Sequence, residues 1–309
     1  MVDLRKALNE GTDSEGGYFV PEEYAKRFID LVERKSTAIP LMEHVNMKYD
    51  VQNIPSVTDG NTGYFTAELA DITGSDFTSG QTVLTAKKLA ALTNVSTEVL
   101  EDSDPSIGNI ITNRLAKAVA LKLDNEIYNG TGTNFSGIRD TTTYTDTNTV
   151  AAAGADGDAI SYDKIVDGQT EIQVDDFEGG THLIMNPKIL AKVRLLKDGN
   201  SRPLFDEATW GSPMLKEHPK AIGSILGLQV VITTALPVNL TKGSGTTLSD
   251  AVILTKGEGG IYGTRRQPRF HKEYQITSDA WKIQTNLRSA FIAKYQKSTC
   301  IIEDLITAI

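Results

Sequence analysis

The sequence predicts an elongated α+β fold, on three observations. Ile107, Ile110, Ile111, Leu115, Val119, Leu123 and Ile127 recur every three to four residues, the period of one helix face. Trp281, Ile283, Thr285, Leu287, Ser289, Phe291, Ala293 and Tyr295 alternate with Lys282, Gln284, Asn286, Arg288 and Lys294, the period of a strand, and only Ala290 and Ile292 blur the polar face. Residues 51–86 hold Asp59, Glu68, Asp71 and Asp76 and no Lys or Arg, with Gly60, Gly63, Gly74 and Gly80 between short β-prone pieces. The helix amounts to about 24 residues and ~36 Å. The strand amounts to about 15 residues and ~48 Å, where about 5 or 6 residues is usual. Elements this long imply a flat subunit rather than a sphere.

Composition bounds the function. A chain of 309 residues suggests about two domains or one large discontinuous one. The 31 basic and 40 acidic residues leave a formal charge of −9, which disfavours a dedicated nucleic-acid binder. It does not exclude a protein that lines a space holding nucleic acid. Cys300 is the only cysteine, so an internal disulfide, a zinc ribbon and a CxxC site are excluded and a reducing compartment suits the chain. The N-terminus leads into no apolar stretch and no run approaches a membrane span. A chain made in the cytoplasm, with no membrane partner, is expected.

Residues 1–20 read as an extended arm, with Gly11, Gly16 and Gly17 among Asp13, Ser14 and Glu15. Pro21 opens a helix with Glu22 and Glu23 in its first turn, a stripe of Phe28, Leu31 and Val32, and Arg34 and Lys35 at its end. Residues 51–86 read as a long two-stranded hairpin. Such a ribbon is marginal alone in water, so it must lie on its own body or on another subunit. Residues 89–100 read as a strand with Ala91, Thr93, Val95, Thr97 and Val99 on one face. Asp104 and Pro105 then cap the long helix, which stops at Asn129-Gly130. Residues 139–159 are polar and read as a loop or domain crossing. An α/β-like region follows: a helix over 160–174, a strand over 182–185, a helix over 188–196, and strands over 228–233 and 251–254. Between them, residues 198–224 form a long Gly- and Pro-rich excursion, the kind that tends to contact partners.

Catalytic signatures are missing from the sequence. His44, His182, His218 and His271 share no metal-ligand spacing. Gly130-Thr131-Gly132 follows a helix, whereas a phosphate cradle precedes one, so it reads as a turn. Gly257-Glu258-Gly259-Gly260 likewise reads as a turn between domains. No GxSxG elbow occurs. Cys300 reads as packing in an apolar strand. No catalytic residue, metal ligand or cofactor is expected, and the protein is read as no enzyme.

Two basic clusters stand out: Arg265, Arg266, Arg269 and Lys272, and Lys188, Lys192, Arg194, Lys197 and Arg202. Either is compatible with a solvated face. The sharper expectation for the first is a docking site for the acidic ribbon, with Asp59, Glu68, Asp71 and Asp76 as counter-charges. Within one subunit this is an ordinary contact; between subunits it is an assembly contact whose charges set register.

Several segments in order resemble the major capsid proteins of tailed bacteriophages, which adopt the Hong Kong 97 fold. Gly16-Gly17-Tyr18-Phe19-Val20-Pro21 is similar to that family's arm-to-helix entry. Residues 116–129, then Gly130-Thr131-Gly132 and Gly137-Ile138, resemble the end of its spine helix and the turn beyond. Met185-Asn186-Pro187, Leu195-Leu196-Lys197-Asp198 and Arg202-Pro203-Leu204 are similar to its axial-domain run. Ile225-Leu226-Gly227-Leu228-Gln229-Val230-Val231 through Pro237 resembles a later segment. Each motif is weak alone; the ordered series over roughly residues 11–305 is specific.

The resemblance implies an N-terminal arm and short helix (1–36), part of a peripheral domain (37–50) and an extended loop (51–88). The peripheral domain continues with the spine helix (89–138), an axial domain follows (139–257), and the peripheral domain ends with long strands and the C-terminus (258–309). It implies self-assembly into hexamers and pentamers that close an icosahedral shell around double-stranded DNA. Portal and scaffolding proteins are the implied partners, contact with the DNA is non-specific, and the place is the virion, assembled in the host cytoplasm. Two departures matter. Only about 15 residues precede the family's start, where some members carry a large scaffolding segment. No lysine lies between Gln52 and Ala86, where some members place the lysine of an isopeptide cross-link, so no covalent welding is expected. The alternatives are an encapsulin-like cellular compartment shell and, remotely, a carboxylate-dependent hydrolase.

Overall fold

The computed structural model describes residues 22–59, 65–66, 78–102, 107–177, 179–207, 218 and 220–307. The expected arm, the Asp104-Pro105 cap, most of the far half of the acidic hairpin and residues 208–217 lie outside these. In chain order the elements begin with α1 (Glu22–Lys35), β1 (Glu43–Asn46), β2 (Val51–Asp59), β3 (Thr78–Thr85), β4 (Lys87–Ser96), α2 (Thr97–Asp102) and α3 (Ile107–Asn129). Then come β5 (Asn148–Val150), α4 (Tyr162–Val174), β6 (His182–Met185), α5 (Pro187–Val193), β7 (Asp206–Glu207), β8 (Ala221–Ile225) and β9 (Leu228–Ile232). The chain closes with β10 (Leu240–Lys242), β11 (Gly245–Leu254), β12 (Ile261–Gln275), β13 (Ala280–Ile292) and β14 (Thr299–Ile306).

These form a four-stranded sheet in the order β1-β12-β13-β4, a two-stranded ribbon β2-β3, and an eight-stranded sheet along β5-β14-β11-β6-β9-β8-β7 with β10 beside β11. In the four-stranded sheet the pleat of β13 separates two environments. Leu287 and Phe291 pack with Phe28 and Val32 of α1 and with Leu115, Val119 and Leu123 of α3. Phe28 meets Phe270 edge-on at 4.9 Å. On the alternate positions, Ala290 and Ile292 pack with Leu84 of β3, Met47 and Ile261. The helices therefore cover one face of the sheet and the ribbon stands on the other.

The eight-stranded sheet is apolar on both faces, as a run buried on both sides must be. Ile184, Val231 and Val252 join the core that contains α3. Their neighbours Leu183, Met185, Val230 and Ile253 pack under α4 and α5 with Ile165, Ile172, Ile189 and Val193. Cys300 lies in this second core, and burial pushes its thiol up to about 12. It is packing, as the sequence suggests.

One buried carboxylate fastens α1 to α3. Asp124 is 1% exposed. It accepts the Thr37 N–H and the Thr37 hydroxyl at 2.8 Å each, the Ala38 N–H at 3.1 Å, and the Ser36 hydroxyl. The turn after α1 thus places its donors on the side of α3. One turn further along, the buried Tyr128 phenol is raised well above its usual pKa, first by burial and then by the Asp124 charge.

The structure corrects several element boundaries. The strand expected over 89–100 ends at Ser96, and Thr97 begins α2. Ser96 Oγ accepts the Val99 N–H at 3.4 Å, as an N-cap does, and Thr97 donates to the Asp279 carbonyl at 3.1 Å. The strand expected over 281–295 ends at Ile292, where the Ala293 N–H turns to the Tyr144 hydroxyl at 3.2 Å. The helix expected over 188–196 spans Pro187–Val193, capped by Asn186. The polar 139–159 loop contributes β5, parallel to β14, and the 198–224 excursion contributes β7 and β8. β12 and β1 had no counterpart in the sequence reading. The turn at Gly130 is as expected. A Cβ there would lie 2.3 Å from the Phe135 carbonyl oxygen, so the close crossing requires glycine.

Candidate assembly surface

The ribbon is rooted by alternation. Leu84 is fully buried, and Ile54 packs beside it on Met47, Ile261 and Ala290. A Cβ on Gly263 would lie 2.7 Å from both Leu84 Cδ2 and Met47 Sδ, so glycine lets the ribbon sit directly on β12. The register pairs Asn53 with Val83 and Val51 with Thr85 on the opposite side of the ribbon, and these four side chains are exposed. Pro55 is tolerated because both strands of a ribbon are edges. An exposed Val51–Val83 surface continues to Tyr49, 72% exposed.

Beside this root the sheet carries a group of guanidinium ions. Arg266 stands opposite Arg288 and Arg269 opposite Asn286, in a stretch where β12 shifts register twice, between Thr264 and Arg266 and between Arg266 and Arg269. Arg288 Nη1 lies 2.8 Å from Asp50 Oδ1, and Arg265 Nε lies 3.4 Å from the same oxygen. Arg266 donates to Asn286 Oδ1. Burial lowers the Arg266 pKa, and Arg269, Arg288 and Arg265 lower it further, against the pull of Asp50. Asp50 is the carboxylate that pairs with this group among the described residues. Four guanidinium groups against one carboxylate leave a surplus of positive charge.

The sequence-expected residues divide as follows. Arg265, Arg266 and Arg269 come together. Lys272 stands apart: it pairs with Ile283, one pleat position out of phase with Arg269, and its ammonium lies 4.0 Å over the Trp281 ring. Asp59 closes β2 opposite Thr78, and its side chain lies outside the described set. Glu68, Asp71 and Asp76 lie outside the described residues. Two residues were missed. Arg288 was visible only as a polar position of the β13 alternation, and Asp50 immediately precedes the base-free stretch.

Little suggests chemistry. Among the described residues no group of three or more His, Cys, Asp or Glu could hold a metal ion. No helix among them is long and apolar enough to cross a membrane. Asp175 is held below its usual pKa chiefly by Lys297, 2.7 Å away, as a structural ion pair would be.

A flat sheet with a ribbon on one face and a long helix on the other, joined to a second sheet, is the fold of viral-type shell subunits. It matches the solved capsid of an empty GTA particle with a TM-score of 0.70 at 17% identity, covering 96% of this chain and 99% of that one. It matches a solved chain from Mycobacterium phage Bobi with a TM-score of 0.64 at 16% identity, covering 87% and 90%. The Hong Kong 97-like α+β fold is therefore the fold of this chain.

The chain belongs to the phage capsid family, whose model matches residues 16–267. It is 26% identical over 240 residues to the major capsid protein of Enterobacteria phage HK97, covering 72% of this chain and 58% of that protein. It is 27% identical over 242 residues to the probable major capsid protein gp17 of Mycobacterium phage D29, covering 76% and 73%. The chain thus spans less than two thirds of the HK97 protein's length.

Proposed function

We propose that this chain is a major capsid protein that assembles into hexamers and pentamers and closes an icosahedral shell around double-stranded DNA. It acts as a structural protein of the virion and not as an enzyme. The observation that carries this reading is the family match over residues 16–267. Within the subunit, the arm is assigned to 1–36, the extended loop to 51–88, the axial domain to 139–257, and the peripheral domain to the remaining segments. The separate ribbon and the helix-backed four-stranded sheet support that division, but β14 (Thr299–Ile306) pairs with β11 and β5 in the eight-stranded sheet, so the last strand goes with the axial segment and not with the peripheral one.

The assembly contact assigned to the ribbon is between subunits. Asp59, Glu68, Asp71 and Asp76 of one copy face Arg265, Arg266, Arg269 and Arg288 of a neighbour. What supports it is the surplus of guanidinium over carboxylate beside the ribbon root, and the absence of any base in the ribbon. Portal and scaffolding proteins are the further partners, and the shell forms in the host cytoplasm.

Expression of the full chain alone, followed by size-exclusion chromatography and negative-stain electron microscopy, tests the reading. Rings of six or closed shells are expected. Small uniform DNA-free shells would favour a compartment. A monodisperse monomer that stays monomeric with the neighbouring gene products would sink the capsid reading. Denaturing gels of particles are expected to run as single chains, because the ribbon holds no lysine between Gln52 and Ala86; covalent ladders would contradict the expectation of no welding.

A further inference from the structure

The ribbon face holds more positive charge than its guanidinium groups alone. The register of β13 with both neighbours sets Arg266 of β12, Arg288 of β13 and Lys88 of β4 opposite one another, in one row across three strands. Residues paired in this way share a face of the sheet. Two residues along β13, Arg269 stands opposite Asn286 on that same face, and Arg265 falls in the register shift between Thr264 and Arg266. Like charges directly opposite on neighbouring strands are destabilising. Here three follow in one row, and Asp50 is the carboxylate that pairs with the group among the described residues.

The donors of this group are partly anchored and partly idle. Arg266 donates to Asn286 Oδ1, and Asn286 is 5% exposed, so one guanidinium is held by a buried amide. Arg288 Nη1 reaches both oxygens of Asp50, at 2.8 and 2.9 Å. The Nε atoms of Arg265 and Arg266 are buried and make no hydrogen bond among the described residues; the 3.4 Å approach of Arg265 Nε to Asp50 is an ion pair without hydrogen-bond geometry. A buried donor without an acceptor carries the full cost of its desolvation. Lys88 and Arg269 are exposed and flank the group, one on the far strand and one along β12.

We propose that Arg265, Arg266, Arg269, Arg288 and Lys88 form a binding site for a multivalent inorganic oxyanion of the phosphate class. Planar guanidinium forks match the oxygens of a tetrahedral anion two at a time, and charge-assisted bonds of this kind are the strong ones. The row of three spans two strand spacings, about 10 Å, which long side chains close over one anion. Five cations against one carboxylate favour an anion of high charge, so pyrophosphate binds more tightly than chloride. The site belongs to the single subunit. In a shell the ribbon carboxylates of a neighbour take the same place, and this half of the proposal rests on the capsid reading.

The test uses the full chain in its unassembled form, isolated by size-exclusion chromatography. Sodium pyrophosphate is the probe and sodium chloride at matched ionic strength the reference, read by isothermal titration calorimetry and thermal unfolding. Millimolar pyrophosphate is expected to bind and to raise the unfolding temperature above the chloride reference. Lys88→Gln/Arg269→Gln changes two exposed residues and keeps the anchored ones. It is expected to weaken binding roughly tenfold and to remove most of the thermal shift. Lys188→Gln/Lys197→Gln removes the same charge on another surface and is expected to change neither. No binding beyond the chloride reference, or equal loss in the two variants, would overturn the proposal. An equal thermal shift in all three chains, the mark of a salt excluded from protein surfaces, would do the same. A short DNA duplex that binds these cations more tightly than pyrophosphate would overturn the small-anion reading. Light scattering keeps the remaining questions apart. Assembly that pyrophosphate slows no more than chloride does would overturn the shared place, and failure to form rings or shells counts against the capsid reading, whatever the calorimetry shows.

Discussion

The two faces of the four-stranded sheet are held by different physics. The helix face is a dry core: Leu287, Phe291 and Tyr262 pack on Phe28, Val32, Leu115 and Val119. Each such side chain contributes roughly 1.5–3 kcal/mol by burial. The ribbon face has a footing of Leu84, Met47, Ile261 and Ala290, and beyond it guanidinium groups around one carboxylate, half-buried at Arg265, Arg266 and Arg288 and exposed at Arg269. The first face makes a subunit that folds. The second leaves Val51, Val83 and Tyr49 exposed and the arginines in excess of carboxylate among the described residues, which is what a subunit built to be completed by neighbours presents.

The contrast can be broken at graded cost. Removing the Asp124 carboxylate in Asp124→Ala strands the Thr37 and Ala38 N–H groups and the Ser36 hydroxyl in a buried site. The expected loss is about 3–5 kcal/mol in denaturant unfolding, because orphaned buried donors carry the full desolvation cost. A loss under about 1 kcal/mol would mean the α1–α3 junction is held by apolar packing alone. On the other face, Leu84→Ala is expected to cost about 2–3 kcal/mol. Its signature is local: amide exchange should rise over 51–59 and 78–85 and stay unchanged in α3. Uniform acceleration would show that the ribbon is not a separate unit.

Smaller effects sharpen the picture. Asp50→Asn removes an exposed partner of Arg265 and Arg288 and should change subunit stability by less than about 1 kcal/mol. Assembly should become more sensitive to salt, since the surplus of positive charge grows; light scattering against ionic strength measures this. The smallest effect is a pH slope. The folded pKa of Lys220 is depressed below its ordinary 10.5, so between the two values the unfolded chain binds more protons and stability rises with pH. Thermal unfolding of Lys220→Met should lose part of that alkaline rise. An unaltered slope would show that Lys220 is not its source.

Much of this architecture is legible in the residues. The helical period from Ile107 to Ile127 and the alternation from Trp281 to Phe291 survive because each element buries one face against one partner. Even the two residues that blur the polar face of β13, Ala290 and Ile292, were a signal, since they lie under the ribbon root. β12 is hidden because its register shifts near Arg266 and Pro268 break the period of two. β1 is only four residues long, too short for a pattern. Ser96 ends β4 by capping a helix that the continuing alternation to Val99 masks. Asp124 falls in the same stripe as Ala120, Leu123 and Ile127, so its burial could have been read, but its donors, 86 to 88 positions away in the chain, could not. Asp50 and Arg288 are likewise joined only by the fold, across a separation of 238.

The measurement that bears most directly on the assembly contact is a cryo-electron microscopy map of the assembled particle, resolved well enough to place side chains at every subunit interface. The account predicts that carboxylates from Asp59, Glu68, Asp71 and Asp76 of one subunit lie within about 8 Å, roughly one Debye length, of Arg265, Arg266, Arg269 or Arg288 of a neighbour. Separation of the two groups by more than about 15 Å across every interface, well beyond that length, would contradict it.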